Sequence, residues 1–95
     1  MAIVVIGEIP GGNAQMDQGL MQAVGISPGN PPAGALMRMS GPMDGGYRII
    51  SVWELEDAWQ IFRRDKLEPA FKQMGRELPE PKVSQLDNVM IAPQR

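Results

Sequence analysis

The chain has 95 residues, of which 43% are hydrophobic, and it carries a net charge of −2 at pH 7. This length suits one domain over residues 1–95, and this composition argues against disorder. Because neither half of the chain has an excess of basic residues, we expect neither nucleic acid nor a membrane as a partner. The chain has no cysteine and no histidine, so we predict no metal and no other cofactor. Its longest apolar run, residues 2–6, is too short to span a membrane, and we expect a cytoplasmic protein.

The first strand and the first helix are marked clearly. Residues 2–6, Ala-Ile-Val-Val-Ile, predict a buried strand. Asn13 can cap the helix that follows, in which apolar side chains recur at helical spacing from Met16 to Val24. Gly25 stands where a helix commonly ends.

A hairpin is expected next. Residues 34–40 predict a second strand that carries Met37 and Met39 on one face and Arg38 on the other. The glycine-rich stretch 41–46 then predicts a long loop that turns the chain back into a third strand.

The third strand is expected at the centre of a sheet. Residues 47–52 are rich in β-branched and aromatic side chains, and apolar side chains fall on both faces. Tyr47, Ile49 and Trp53 share one face. We predict that Trp53 ends this strand on the face that points away from the helices.

A second, interrupted helix follows. Apolar residues at helical spacing predict a helix over residues 56–66, with the stem of Lys66 extending its apolar stripe. Pro69 lacks an N–H and must disturb the helix. We therefore expect an offset second turn that carries Ala70 and Phe71, with Gly75 placed to stop it.

The order of elements predicts the fold class. Residues 82–90 predict a last strand, which completes the order βαββαβ. This order is typical of an α+β, ferredoxin-like domain in which both helices cover one face of an antiparallel sheet. The other face would then expose Met37, Met39 and Trp53, which predicts a homodimer formed through the sheet face.

The stretch GPMDGGYRIISVWELEDAWQIFRRDKLEPAF carries a longer pattern. A Gly-Pro-x-Asp-Gly-Gly-aromatic-Arg segment precedes a Val-Trp-Glu helix start, an Ala-aromatic pair and a Leu-x-Pro-Ala ending, over residues 41–48, 52–54, 58–59 and 67–70. This arrangement resembles small bacterial proteins of the antibiotic biosynthesis monooxygenase-like group, within the dimeric α+β barrel superfamily. The resemblance covers most of residues 1–90. It implies a homodimer whose two sheets enclose a cavity, and it implies no known substrate.

Several departures from those relatives affect the expected site. Leu55 stands where relatives often have a serine that caps the helix. Arg38 and Asp87 stand where relatives often have histidine, and this double change suggests a compensating Arg38–Asp87 ion pair, either within the chain or across the dimer. The haem-degrading branch of the superfamily uses a histidine ligand, so the resemblance does not extend to haem chemistry.

Candidate ligand-binding residues follow from the predicted cavity: Tyr47, Arg48, Trp53, Asn88, Arg38 and Met37. Trp53 can stack on a flat ligand or anchor the dimer, and Tyr47 can donate a hydrogen bond or lie at the rim. Arg48 can hold an anion or form a surface ion pair. Asn88 can bind a carbonyl or cap a turn.

Three functions remain open from the residues. The first, which we favour, is a homodimer that binds a small apolar or aromatic ligand in its barrel cavity. The second, suggested by the resemblance, is a cofactor-independent monooxygenase of aromatic or polyketide-like metabolites. The third is a purely structural dimer. Because the chain lacks histidine and cysteine, the second function would need a carboxylate with a strongly shifted pKa as its base.

Overall fold

The computed structural model describes residues 1–91, and four strands in it form one antiparallel sheet. The elements are β1 (Ile3–Pro10), α1 (Ala14–Val24), β2 (Ala35–Met43), β3 (Gly46–Trp53), α2 (Glu56–Phe62), a π-helical turn (Arg63–Leu67), α3 (Glu68–Gln73) and β4 (Lys82–Gln85). The segments α2, π turn and α3 are continuous, and we call them the second helix. The strand order β2-β3-β1-β4 places β3 at the centre, as expected. The α+β class and the antiparallel sheet are confirmed, and the order of elements is that of a ferredoxin-like fold.

The first helix begins and ends where the sequence predicts. The Asn13 side chain accepts a hydrogen bond from the Met16 N–H at 2.8 Å. At the other end Gly25 takes a left-handed conformation, with φ of 75°. The Ile26 N–H then donates to the Met21 carbonyl at 3.0 Å, which satisfies a carbonyl of the last turn.

The β2–β3 hairpin is tighter than predicted. The long loop expected over residues 41–46 is wrong, because Met43 pairs directly with Gly46 and only two residues connect the strands. Gly45 takes a positive φ of 77° in this turn, as tight hairpin turns require. Pro42 lies inside β2 and is tolerated there because β2 is an edge strand.

The ends of two strands, β1 and β4, also differ from prediction. β1 continues to Pro10, four residues beyond the predicted end, because it pairs with β3 along its whole length. β4 covers only residues 82–85 of the predicted 82–90. Asp87 and Asn88 therefore lie beyond the last strand.

Both helices pack on one face of the sheet, which we call the helix-facing side. The buried residues on this side form two clusters: Ile9, Leu20, Val24, Ala70 and Phe71 in one, and Ile3, Val5, Trp53 and Trp59 in the other. The first cluster joins α1 to α3, and the second joins the sheet to α2. Partly buried Phe62 and Leu67 contact both clusters, so the core is continuous.

The opposite face of the sheet has no covering layer within residues 1–91, and we call it the open sheet face. Strand alternation places six apolar side chains on it: Val4, Ile6, Met37, Met39, Ile50 and Val52. The predicted exposure of an apolar face with Met37 and Met39 on it is confirmed, and Met39 is 49% exposed. The pairing of β2 with β3 shifts between Ala35 and Met37, and this irregularity sets the register that places Met37 and Met39 on the open sheet face.

Candidate functional site

A cavity of about 70 Å³ lies between the sheet and the helices, and we call it the interlayer cavity. Its wall includes Val5, Gly7 and Ile9 from β1, Leu20 and Val24 from α1, Trp59, Phe62, Leu67 and Phe71 from the second helix, and Leu78, Pro79 and Pro81 from the connector to β4. The cavity is thus a largely apolar space inside the single chain. It lies on the opposite side of the sheet from the predicted barrel cavity.

The π turn positions the helical part of the wall. It accommodates one residue more than an α-helical turn, and the Glu68 N–H donates to the Arg63 carbonyl five residues earlier. This extra residue turns the helix by about 100°, so Leu67 rather than Lys66 continues the apolar stripe. Lys66 is exposed, and its predicted role in the stripe is wrong. The predicted offset before Ala70 is confirmed.

A buried ion pair forms the polar part of the wall. Arg38, which lines the cavity, donates to both carboxylate oxygens of Asp17, at 2.6 Å and 3.3 Å. Ser40 Oγ donates to the same carboxylate at 3.0 Å. The Asp17 side chain is 3% exposed and that of Arg38 is 21% exposed. The pair therefore presents two compensating charges rather than a free cation.

The two tryptophans differ in their hydrogen bonding. Trp53 Nε1 donates to Ser51 Oγ at 2.9 Å. Trp59 Nε1 is buried and has no hydrogen-bond partner among residues 1–91. Their ring centroids lie 5.7 Å apart. Trp59 thus contributes to the wall of the cavity, and its buried Nε1 is unpaired within the described residues.

The structure divides the six predicted site residues among three places. Trp53, Tyr47 and Arg38 lie on the helix-facing side, and of these Arg38 lines the interlayer cavity. Trp53 is only 1% exposed and packs on Trp59 and Phe62. Its predicted position on the open face is wrong. The strand alternation that groups it with Tyr47 does not say which face the helices cover.

The remaining three residues lie elsewhere. Met37 is on the open sheet face, as is Arg48, which forms an exposed ion pair with Glu8 at 2.8 Å. Asn88 lines a shallow depression beyond β4, together with Leu55. The six residues therefore do not converge on one site.

Arg38 has a different partner from the one predicted. Its guanidinium donates hydrogen bonds to Asp17, whereas Asp87 is exposed beyond the end of β4. The prediction of an Arg38–Asp87 pair is therefore wrong within the chain. Leu55 begins α2 without any side-chain cap, so the missing serine has no substitute there.

Two residues of the cavity region were missed as functional candidates. Asp17 falls on the same helical stripe as Leu20 and Val24, three and seven residues on, which is the signal that it faces the core. Trp59 was assigned only to the core, and no sequence signal shows whether an indole N–H has a partner.

The connector between α3 and β4 closes one side of the cavity. Within residues 1–91, no backbone hydrogen bond joins residues 77–81 to the rest of the chain. Arg63 of the π turn instead holds this connector through Glu80, at 2.8 Å. The hydrogen bond from Arg63 lowers the pKa of Glu80 below its usual 4.5, and the charge of Arg63 adds to this effect.

This contact predicts an acid-sensitive contribution to stability. A carboxylate whose pKa is lowered by folding stabilises the fold above its ordinary pKa, and this contribution disappears as the pH falls through the lowered value. We expect Glu80→Gln to reduce the difference in unfolding free energy between neutral pH and about pH 3. Urea unfolding at both pH values measures it. Glu77→Gln makes the same charge change three residues away, and an equal reduction there would contradict the prediction.

None of the helices over residues 1–91 has the length and apolar character needed to cross a membrane. Within the same residues, no three carboxylates cluster closely enough to hold a metal ion.

Comparisons with known proteins do not assign a family. A scan against models of known protein families finds no match to this chain, and a search of the curated proteins finds no significant match.

Proposed function

We propose that this chain is a homodimeric protein, similar to the antibiotic biosynthesis monooxygenase-like group, that binds a small apolar or aromatic ligand. The observation that carries the proposal is the interlayer cavity, an apolar space of about 70 Å³ in the core of a small domain. Well-packed cores leave few spaces larger than a water molecule. Ligand sites, in contrast, are concave and mostly apolar, with a few convergent polar groups.

The wall of the cavity favours binding over catalysis. Arg38 is the charged side chain that lines the cavity from the helix-facing side, and it is paired with Asp17. Glu8 borders the cavity as well, but its side chain lies on the open sheet face, where it is paired with Arg48. Neither is therefore available as a free acid or base, which is what a proton-transfer step would need.

The open sheet face supports the dimer. Its apolar side chains form two rows across three strands, Met37–Val52–Val4 and Met39–Ile50–Ile6. The next row contains Glu8 and Arg48, which neutralise each other. A second copy related by a two-fold axis would cover the apolar rows with equivalent rows and would meet no excess of like charge. Exposed apolar faces of this kind mark interaction sites.

Gly7 offers a direct test of the ligand site. It lies on the helix-facing side of β1, and an added Cβ there would meet only the Ile49 carbonyl oxygen, at 3.9 Å. Gly7→Val therefore adds side-chain volume to the cavity with room for its Cβ. We expect native mass spectrometry of the protein from its own organism to show a dimer with a bound small molecule. We expect Gly7→Val to lose the small molecule and remain a dimer.

Two further variants complete this test. Gly7→Ala adds one methyl group and should retain part of the bound molecule, so that occupancy falls with added volume. Ile50→Lys places a charge in the centre of the open sheet face and should give monomers. A monomeric wild-type protein would contradict the proposed dimer. Equal occupancy in wild type and Gly7→Val would contradict the proposed ligand site.

A further inference from the structure

The connector over residues 77–81 is a thin part of the cavity wall. Leu78 and Pro79 line the interlayer cavity on the inner side of the connector. The same two residues line a depression on its outer side, at the protein surface, which exposed Glu77 and Glu80 border. Because single residues reach both spaces, the wall between the cavity and the surface is one residue thick here.

The connector is also weakly attached to the rest of the chain. At one end, the Arg76 N–H donates to the Phe71 carbonyl at 3.0 Å. At the other end, Lys82 begins β4 and pairs with Ile6. Between these two points, and within residues 1–91, no backbone hydrogen bond joins residues 77–81 to another segment. Segments without such bonds open at a small cost in free energy.

The other walls of the cavity are harder to open. β1 is hydrogen-bonded to a neighbouring strand on each side, so a path through the sheet would break backbone hydrogen bonds. Movement of α1 or of the second helix as a whole would uncover the two core clusters that these helices bury. Entry at the connector requires neither.

The volume of the cavity gives a reason for the wall to move. A cavity of about 150 Å³ admits benzene, and the interlayer cavity measures about 70 Å³. A ligand with an aromatic ring therefore needs additional space. An outward movement of Leu78 and Pro79 would supply it, because both residues already border the depression at the surface.

An ion pair fastens the connector to the second helix. Arg63, the first residue of the π turn, donates to both carboxylate oxygens of Glu80, at 2.8 Å and 3.3 Å. The Glu80 side chain is 78% exposed, so its charge can return to water when the connector moves. Arg63 then keeps Glu68 as a second carboxylate, at 3.4 Å. The pair can therefore break and re-form without leaving a buried charge uncompensated.

We propose that the connector over residues 77–81 is the lid of the interlayer cavity, and that the Arg63–Glu80 ion pair holds it closed. The lid opens outward to admit a ligand and closes again over it. This inference rests on the proposed function, because it describes how a ligand reaches that same site. It also gives the π turn a second role, since Leu67 at its end lines the cavity and Arg63 at its start holds the lid.

The exchange kinetics of benzene, used as the probe, test the proposal. Benzene is titrated into protein with ¹³C-labelled leucine methyl groups, and the line shapes of Leu20, Leu67 and Leu78 at the cavity give its association and dissociation rates. Glu80→Gln keeps the side-chain length and removes the charge. We expect both rates to rise by about twofold to fivefold, the usual effect of one exposed ion pair on an equilibrium. The dissociation constant should stay nearly constant, because the pair forms in the free and the bound state alike.

Asp65→Asn provides the matched control. It removes another ion pair of the same π turn, between Asp65 and Arg64 at 2.8 Å, and neither of these residues lines the cavity. We expect this variant to leave both rates unchanged. Its methyl spectrum and that of Glu80→Gln should match the wild-type spectrum, because both substitutions are exposed.

A cross-link tests the opposite change. The chain has no cysteine, so the double variant Arg63→Cys, Glu80→Cys can be joined selectively by a short bismaleimide. The linked protein should exchange benzene on the order of tenfold more slowly than the same variant capped with N-ethylmaleimide, because its lid cannot open. If the double variant does not fold, the comparison of Glu80→Gln with Asp65→Asn still decides.

The possible outcomes separate the lid from the ligand site. If benzene binds, but its rates are the same in Glu80→Gln and Asp65→Asn or the cross-link does not slow its exchange, the site stands and the lid is wrong. A changed dissociation constant with an unchanged association rate would also overturn the lid, because Glu80 would then shape the closed cavity rather than its opening. If benzene binds neither to the wild-type protein nor to Glu80→Gln, the ligand site fails and the lid fails with it.

Discussion

Asp17→Ala should lower the free energy of unfolding by about 3 kcal/mol. The carboxylate of Asp17 is buried and accepts hydrogen bonds from Arg38 and Ser40. Its removal leaves the Arg38 guanidinium half-enclosed with no opposite charge, which costs more than the net value of the pair. We place the effect at the low end of the range for buried pairs because the Arg38 side chain is 21% exposed and can reach water. Urea unfolding at fixed protein concentration measures the loss.

A double variant distinguishes an unpaired charge from a general loss of packing. Asp17→Leu combined with Arg38→Met replaces both partners by apolar side chains of similar length, and we expect it to recover most of the stability. Glu8→Ala provides the surface control, because the Glu8–Arg48 pair is exposed on both sides. Its effect should stay within about 1 kcal/mol. Similar losses from Asp17→Ala and Glu8→Ala would show that burial does not strengthen the Asp17–Arg38 pair.

The sequence contains signals that predict the Asp17–Arg38 pair. Asp17 shares a helical stripe with buried Leu20 and Val24, and Arg38 alternates with the open-face Met37 and Met39. Each pattern alone places a charge toward the core. Together they predict that the two charges meet, because α1 and β2 belong to the same βαβ unit. Such a pair can be predicted from apolar periodicity only when the charged residues that occupy core-facing positions are considered together with the apolar ones.

Local signals predicted the ends of helices better than the ends of strands. Asn13, Gly25 and Pro69 act on their own chain segment through caps and a missing N–H, so their effects are visible in the sequence. Strand ends depend on pairing across the sheet. Pro42 looks like part of a turn, yet the edge position of β2 lets it stay in the strand. No local signal shows which strand will lie at an edge.

The candidate site was harder to predict than the fold. Period-two alternation correctly grouped Tyr47, Ile49 and Trp53 on one face of β3. Both faces of this central strand are apolar, however, so alternation does not decide which face receives the helices. Assigning Trp53 to the wrong face placed it at the barrel cavity that the resemblance implies, on the other side of the sheet from its actual position. The contact of Trp53 with Trp59 and Phe62 fixes the correct side.

Trp53→Ala should accordingly lower the stability of the single folded chain rather than weaken the proposed dimer. The indole is 1% exposed, packs against Trp59 and Phe62 with centroid distances of 5.7 Å and 5.3 Å, and donates to Ser51. Removing a buried tryptophan side chain leaves a large cavity and costs about 3–5 kcal/mol of unfolding free energy. If Trp53 instead formed the wall of a barrel between two sheets, its loss would mainly weaken subunit association.

The dependence of unfolding on protein concentration separates these two cases. Unfolding that is coupled to dissociation shifts with concentration, whereas the stability of a single subunit does not. We expect Trp53→Ala to reduce stability equally at low and high concentration. Met39→Ala provides the control, since Met39 lies on the open sheet face and is 49% exposed. It should change stability little at concentrations where subunits are separate and more where they associate. If instead the effect of Trp53→Ala depended on protein concentration and that of Met39→Ala did not, Trp53 would belong to the subunit interface, and the helices would have to cover the other face of the sheet.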